Sequence, residues 1–597
     1  MPEDTKAVFS LILIKPTHYD DDGYPIQWLR SDLPSNTLAA LHGLALDCRK
    51  RKVLGPDVDM VIEAYDETNT RIRPARIIAE LVRSGRRALI GLVGVQSNQF
   101  GRAVDLARPF LAAGLPVAMG GFHISGCLAM LPEVPGEIAA ARDMGISLFA
   151  GEAEHCRLDE VLRDAYDGTL KPIYNHMADL PSLVGEPIPF LPPQTVERTK
   201  GKWSSFDLGR GCPFQCSFCT IINVQGRKSR FRTPDDLEAV IRENIACGIR
   251  RFFITDDNFA RNRDWEVLFD RLIQLRRSEG IKFKLIIQVD TLCHRIPRFI
   301  EKAKLAGVTR AFIGLENINP DNLLAAKKRQ NKITEYRTML QQWRAYGITT
   351  YAGYILGFPA DTKESILRDI EIIKRELPLD LLEFFFLTPL PGSEDHKTLL
   401  ANGVWMDPDL NKYDLNHRVT HHPRMTDAEW EDAYRLAWDA YYTPQHMETV
   451  MRRAAAMPGG RPRAKMLVLL WFYLMHKIEH LHPLEGGIFR LKYRTDRRFG
   501  MAIENAAIFY PKYAVEIARK LVRYGWMILG AYRIYWKVAK DPDAKAYSDI
   551  AITPVDAEEF DELELFHGTQ GGEAAVEKSR SDSKRRERYA VGAEAGE

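Results

Sequence analysis

Cysteine is scarce in this chain: there are eight in 597 residues, and Cys48, Cys127, Cys156, Cys247 and Cys293 stand alone at scattered positions. That distribution argues against a disulfide framework. Net charge is nearly absent, with 82 Lys plus Arg against 80 Asp plus Glu, so nothing in the overall balance argues for a nucleic-acid partner. Long apolar runs are missing too. The most apolar stretch, "MLVLLWFYLM" at 466–475, falls well short of the roughly 20 residues that cross a bilayer. The opening segment "MPEDTKAVFSLILIKP" carries acids where a secretory signal carries basic residues, and Lys15 and Pro16 interrupt its apolar run. The expectation is a cytoplasmic protein without a transmembrane segment.

A chain this long calls for several domains. Short apolar runs alternate with helical patterns over residues 1–175: "VFSLILI", "DMVIEAY", "ALIGLVGV", "LPVAMGG" and "SLFAG" read as five strands of an open parallel α/β sheet buried on both faces. A Pro-rich connector at 176–200 stops that pattern. A second alternation over 201–400, with strands "SSFDLG", "RFFITDD", "KLIIQVD", "RAFIGLE", "TYAGYILGFP" and "LEFFFLTPL", reads as a partial (β/α)6 barrel. Residues 401–566 read as a helical domain, and the Gly-, Ser- and charge-rich 567–597 as a disordered tail.

The remaining three cysteines crowd into "DLGRGCPFQCSFCTI" at 207–221. Cys212, Cys216 and Cys219 follow the first barrel strand, at the end of the sheet where β/α folds place their chemistry. A structural zinc knot takes four ligands, and no fourth Cys or nearby His is present. Three thiolates can instead hold three irons of a [4Fe–4S] cube and leave the fourth iron open to a small ligand.

With Phe218 just before the last cysteine, this CxxxCxxC loop resembles the signature of the radical SAM superfamily. The resemblance implies that S-adenosylmethionine chelates the open iron and is reductively cleaved to a 5′-deoxyadenosyl radical, with Cys212, Cys216 and Cys219 as catalytic cluster ligands and Phe218 beside the cofactor. "FFITDDNFARN" resembles the family segment that meets the cofactor's amino group, and its Thr255, Asp256 and Asp257 supply acceptors for an ammonium. Gln288, Asp290, Glu316, Tyr354 and Gly357 end the later strands and complete the expected S-adenosylmethionine site. Their other reading is as ordinary caps at strand-to-helix turns.

The N-terminal half looks like the cobalamin-binding domain that precedes many such barrels. Gly120, Gly121 and His123 match its GG-x-H segment, and Gly151, Glu152 and Glu154 its GE-x-E segment; Ser97 follows the third strand. These residues are the expected cobalamin contacts. The DxHxxG element that supplies an axial histidine in many cobalamin proteins is absent, replaced by "KPTHYDDDGY". Either cobalamin binds without a protein axial ligand, or the sheet only organises the barrel. His18 is the one unusual axial candidate, although a lone loop histidine is more often solvated.

Methylthiotransferases share this domain plan and bind a second cluster, a role Cys48, Cys127 and Cys156 could fill; burial as small hydrophobes is the plainer reading. His476, His480 and His482 suit a helix C-terminus better than a metal site. The interleaved aromatic, aliphatic and basic residues of 520–540 fit a membrane surface, a greasy pocket or packed helices.

The function expected is abstraction of hydrogen from an unactivated carbon, followed by cobalamin-dependent methylation. The alternatives are a cobalamin-free cyclisation, rearrangement or oxidation, or an iron–sulfur carrier or sensor. The expected partners are a small-molecule or lipid-like substrate and an electron donor such as flavodoxin or ferredoxin, with peripheral membrane contact left open.

Overall fold

The computed structural model describes residues 7–457, 459–554, 562–569 and 571–582. Strand β1 (Ala7–Lys15) opens the first sheet, whereas β2 (Gln27–Ser31) lies outside it. The sheet is completed by β3 (Val58–Asp66), β4 (Arg87–Leu92), β5 (Val117–Gly120), β6 (Ile146–Ala150) and β7 (Ile173–Asn175). All are parallel, in the order β3-β1-β4-β5-β6-β7. Six consecutive buried residues in β1 reflect helices on both faces. The five expected strands are present. The sixth, β7, is three residues long, too short for a periodicity to show.

The chain runs from β1 to β3 on one side and returns to β4 on the other, so the order reverses at β1. In open α/β sheets, ligands enter at the carboxyl edge of such a switch point. The second sheet faces that edge.

That second sheet contains β8 (Trp203–Phe206), β11 (Arg251–Ile254), β12 (Lys284–Val289), β13 (Val308–Glu316), β14 (Thr349–Leu356) and β15 (Leu381–Phe386), parallel in the order β15-β14-β13-β12-β11-β8. Two short strands between β8 and β11, β9 (Gly209–Arg210) and β10 (Arg230–Phe231), pair antiparallel and clamp the base of the cysteine loop. Six strands do not close a barrel, which leaves β8 and β15 as edges.

The lateral gap is covered from both chain ends. β2 pairs antiparallel with β16 (Gly487–Leu491). Ser205 Oγ donates to the carbonyl of Pro34 at 2.9 Å beside β8, while His482 stacks on Phe385 of β15 at 5.1 Å and lies 3.0 Å from Glu383. The N-terminal and C-terminal regions thus share a two-stranded sheet that strand-by-strand reading placed in neither.

The Pro-rich connector is packed rather than free. Phe190 N donates to Ala39 O at 3.0 Å, and a side chain at Gly43 would collide with the carbonyl of Ile188. Helices Asp427–Tyr441, Pro444–Ala455, Pro462–Leu474 and Ala506–Lys540 form the C-terminal layer. Within the expected disordered tail, residues 572–582 are helical, and 583–597 lie outside the described residues.

Candidate active site between the two sheets

The cysteine loop leaves β9 at Gly211, whose N–H donates to Asp257 at 3.2 Å, and is held again where Cys212 N donates to Gly226 O at 3.2 Å. Cys216 is buried; Cys212 and Cys219 are half-buried. Burial pushes the Cys219 thiol up to about 12 and raises Cys212 as well, so metal cations must draw these protons off before the sulfurs can ligate. Among the described residues, only His123, Cys127 and Glu137 place three Cys, His or carboxylate ligand atoms within 4.8 Å of one another. The loop thiols are therefore not gathered around a single zinc ion. Three soft donors on one loop, without a fourth, fit a cubane cluster with one open corner.

The strand ends around the loop carry the acceptors. Asp256 accepts from Leu208 N at 2.7 Å and Asn262 at 3.2 Å. Burial pushes both Asp256 and Asp257 up to about 7, so both would gain from a nearby cation. Thr255 Oγ1 is buried without a hydrogen-bond partner, an acceptor open to an ammonium. Gln288 donates to the carbonyl of Asp256 at 3.3 Å. Asp290 is committed elsewhere: Arg261 donates to it at 2.6 and 2.8 Å and lies 5.6 Å from the Phe214 ring within the cysteine loop. Asp290 therefore steadies the loop from below.

Tyr354 in β14 and Gly357 just past it are both engaged by the fold. Side chains alternate along a strand, and Tyr354 falls on the outer face. Its hydroxyl donates to Asp369 at 3.3 Å and its ring meets Phe384 edge-on at 6.2 Å. The neighbouring Ile355 packs instead with Phe358 and Ala326 beside Phe218 and Phe385. Gly357 serves the fold, because the Trp430 ring occupies the space a Cβ would need, so the glycine seats the C-terminal layer on the barrel.

The two sheets meet through ions. Arg210 bridges Asp207 at 3.0 Å, Glu152 at 2.8 Å and Glu154 at 2.6 Å, and Arg230 reaches Glu152 at 2.7 Å. The GE-x-E segment is thus clasped to the base of the cysteine loop. Gly120 lies against the carbonyl of Phe149, and a Cβ at Gly121 would strike the backbone of Val95. Gly151 donates its N–H to Ser125 at 3.0 Å, and His176 crowds its α-carbon. Ser97 Oγ is 3.1 Å from His123 Nδ1. Yet His123 Nε2, Asn98 Oδ1 and His18 Nε2 are buried at or near this edge with no hydrogen-bond partner. Orphaned acceptors and donors of this kind suit a polar group that completes them. His18 is buried rather than solvated, and its Nε2 faces Glu485 at 3.9 Å.

Residues 207–373, which hold all three cysteines and the strand ends just described, match the Radical SAM superfamily. The chain carries a radical SAM domain. Its cofactors are a [4Fe–4S] cluster and S-adenosylmethionine, and the chain is an enzyme. It is similar to the hopanoid C-2 methylase of Rhodopseudomonas palustris, 26% identical over 421 residues that cover 66% of this chain and 76% of that one. The fold is shared with the radical S-adenosylmethionine methyltransferase TsrM from Kitasatospora setae, solved with cobalamin and a [4Fe-4S] cluster (TM-score 0.51, 14% identity, 72% of this chain and 88% of that one). It is also shared with the cobalamin-dependent S-adenosylmethionine radical enzyme OxsB (TM-score 0.50, 12% identity, 94% and 83%).

The cysteine loop also has polar neighbours that motif reading missed. Lys328 is buried, ion-paired with Glu316 and 5.7 Å from the Phe218 ring. Burial opposes its charge, but Glu316 and the loop cysteines outweigh that and raise its pKa. Glu316 adopts φ 63°, a strained conformation for such a residue, and a Cβ at Gly314 would lie 2.9 Å from its carboxylate. Gln330 Nε2 is 3.4 Å from Cys216 Sγ. Both Lys328 and Gln330 sit in "KKRQN", past a short helix and far from any strand end, where only its density of polar groups marks it.

Of the other cysteines, Cys48 is buried and donates to Asp159 at 3.2 Å, whereas Cys156 is exposed, contrary to the burial expected. Cys127 lies with His123 and Glu137. His480 occupies a left-handed helix cap, as a helix end suggests, whereas His476 lies within the turn stacked on Trp438 at 4.4 Å and His482 meets Glu383.

Proposed function

We propose that this enzyme is a cobalamin-dependent C-methyltransferase acting on an unactivated carbon of a small or lipid-like substrate. The observation that carries the reading is the meeting of a three-thiol loop with a switch-point edge that holds orphaned His123, Asn98 and His18 atoms. When bound, the cluster with S-adenosylmethionine supplies a carbon-centred oxidising radical, and cobalamin supplies a transferable methyl group.

The chain's own residues prepare that chemistry. Cys212, Cys216 and Cys219 would hold the cluster; Thr255, Asp256, Asp257 and Gln288 would receive the cationic end of S-adenosylmethionine. Ser97, Asn98, Gly120, Gly121 and His123 would border the corrinoid, and Glu152 holds the two sheets in register. His482 and the β2–β16 pair close the lateral gap and exclude water that would quench a radical. The hopanoid acted on by the methylase relative supports a polycyclic, apolar substrate class, and a flavodoxin or ferredoxin would suit as electron donor.

Anaerobic reconstitution with iron, sulfide and hydroxocobalamin, followed by gel filtration, tests this reading. Retained corrinoid absorption together with methyl transfer from isotopically labelled S-adenosylmethionine is the expected result. Cluster assembly and 5′-deoxyadenosine formation without retained corrinoid would leave the radical chemistry standing and remove the methyl transfer.

A further inference from the structure

The helix Ala506–Lys540 carries apolar side chains on two sides. Toward the protein, Phe509, Ala531 and Val538 are buried, Met527 and Ile534 pack on the core, and Lys520 and Tyr524 reach Glu479 at 2.6 and 2.7 Å. Toward solvent it shows Ile508, Val515, Val522, Leu529 and Trp536, all exposed and each seven residues from the last. Residues seven apart share one helical face. Leu521, Ile528 and Trp526 widen the stripe, and Trp526 is 66% exposed. A helix normally buries its apolar face, and contiguous apolar patches on a protein surface mark contact sites.

Charge selects the occupant. The helix sequence has seven Lys or Arg and a single acid, Glu516, which is already paired with Lys492 and Lys520. With Trp526 at the middle position, Lys512, Arg519, Arg533 and Lys540 follow the same seven-residue spacing along one border of the apolar stripe and are exposed, and among the described residues no carboxylate pairs with Arg519, Arg533 or Lys540. A second copy of the helix would bring these cations against one another, whereas paired helices normally set opposite charges beside the seam. Anionic headgroups would neutralise them. Among the described residues no helix is long and apolar enough to cross a membrane; the element is suited to lie along a bilayer, with Trp526 and Trp536 at the headgroup boundary and the basic side chains reaching up to phosphates.

We infer that the solvent-facing side of Ala506–Lys540 docks the enzyme on an anionic lipid bilayer. This surface is separate from the cofactor site and does not rest on the methylation reading.

Co-sedimentation of the full-length protein with vesicles of phosphatidylcholine alone, or with about one third phosphatidylglycerol, tests it. Binding to the anionic vesicles is expected, with a blue shift of tryptophan emission and weakening in high salt. Trp526→Glu with Leu529→Glu should weaken binding at least about tenfold on the same vesicles. Both side chains are exposed, and circular dichroism confirms that the variant is folded. Arg519→Glu with Arg533→Glu should remove the preference for phosphatidylglycerol. The inference is overturned if the parent protein stays in the supernatant with both vesicle types, or if the glutamate variant binds as well as the parent. A dimer that Leu529→Glu dissolves, without lipid binding, would instead assign the stripe to a second copy.

Discussion

Two parallel six-stranded sheets meet at their carboxyl ends in this chain, and both carry the same sequence signal. Both put glycines just past their strands. In the N-terminal sheet those glycines are crowded by the fold itself: Val95 fills the space beside Gly121, and His176 the space beside Gly151. In the barrel Gly211 is crowded too, by the carbonyls of Lys228 and Gly226, yet it opens a loop whose three sulfurs are left for a metal centre, and Thr255, like His123 and Asn98 beside the first sheet, keeps a buried polar atom without a partner. A glycine past a strand therefore announces close approach, but not of what. The unsatisfied groups beside it decide whether the neighbour is backbone or ligand.

The sharpest break in this comparison is chemical. Cys216→Ala should lose most reconstituted iron and lower 5′-deoxyadenosine formation by at least about a thousandfold, because two thiolates cannot hold the cluster. Iron assay and product quantification check it. Undiminished cleavage would show that the loop is not the reactive centre.

Next in size is the seam. Arg210→Met leaves Asp207, Glu152 and Glu154 buried beside one another without the cation that bridges them. Removing one partner of a buried ion network costs about 3–5 kcal/mol, and urea denaturation of the parent and variant measures it. A loss under about 1 kcal/mol would mean that the clasp is water-filled and the sheets are held by apolar packing alone.

How far the sequence reveals this site differs between the two sheets. All six barrel strands and the cysteine loop were readable, because buried parallel strands leave unbroken apolar runs and a CxxxCxxC spacing has few other uses. The outward packing of Tyr354 was not legible, because proximity to a strand end is visible in sequence while the face of the strand is not, when both faces are apolar. Glu152 and Glu154 matched a motif, but their partners Arg210 and Arg230 are more than fifty residues away, and no local pattern reports such a pairing. The β2–β16 pair joins segments over 450 residues apart and was illegible for the same reason.

Lys328 sharpens the barrel side. It is a buried cation 5.7 Å from the Phe218 ring and is raised in pKa partly by the loop cysteines. Lys328→Met should keep iron but slow cofactor cleavage about tenfold to a hundredfold, with a lower cluster reduction potential as the missing positive charge predicts. Redox titration separates this from a folding defect.

Tyr354→Phe probes the face assignment. Loss of its hydrogen bond to Asp369 should cost about 1 kcal/mol, with the affinity for S-adenosylmethionine unchanged. A tenfold loss of that affinity would put the ring back in the barrel lumen.

The smallest effect lies where the loop after β1 meets the C-terminal region. His417 sits 2.9 Å from Asp414 and 3.2 Å from Asp21. Burial works against its charge, but the hydrogen bonds its ring donates to the two carboxylates prevail and raise its pKa to about 10. The unfolded value is about 6.5, so the folded state holds the proton more tightly. The stabilisation is fully present below pH 6.5 and is lost as pH rises toward 10. The ring is about one third exposed, and solvent screening reduces the contribution to under about 1 kcal/mol. Thermal melts of the parent and His417→Gln should therefore differ most near pH 6 and converge near pH 10. A gap that stays constant with pH would mean that the histidine acts there by packing, and that the joint between sheet and C-terminal region is not electrostatic.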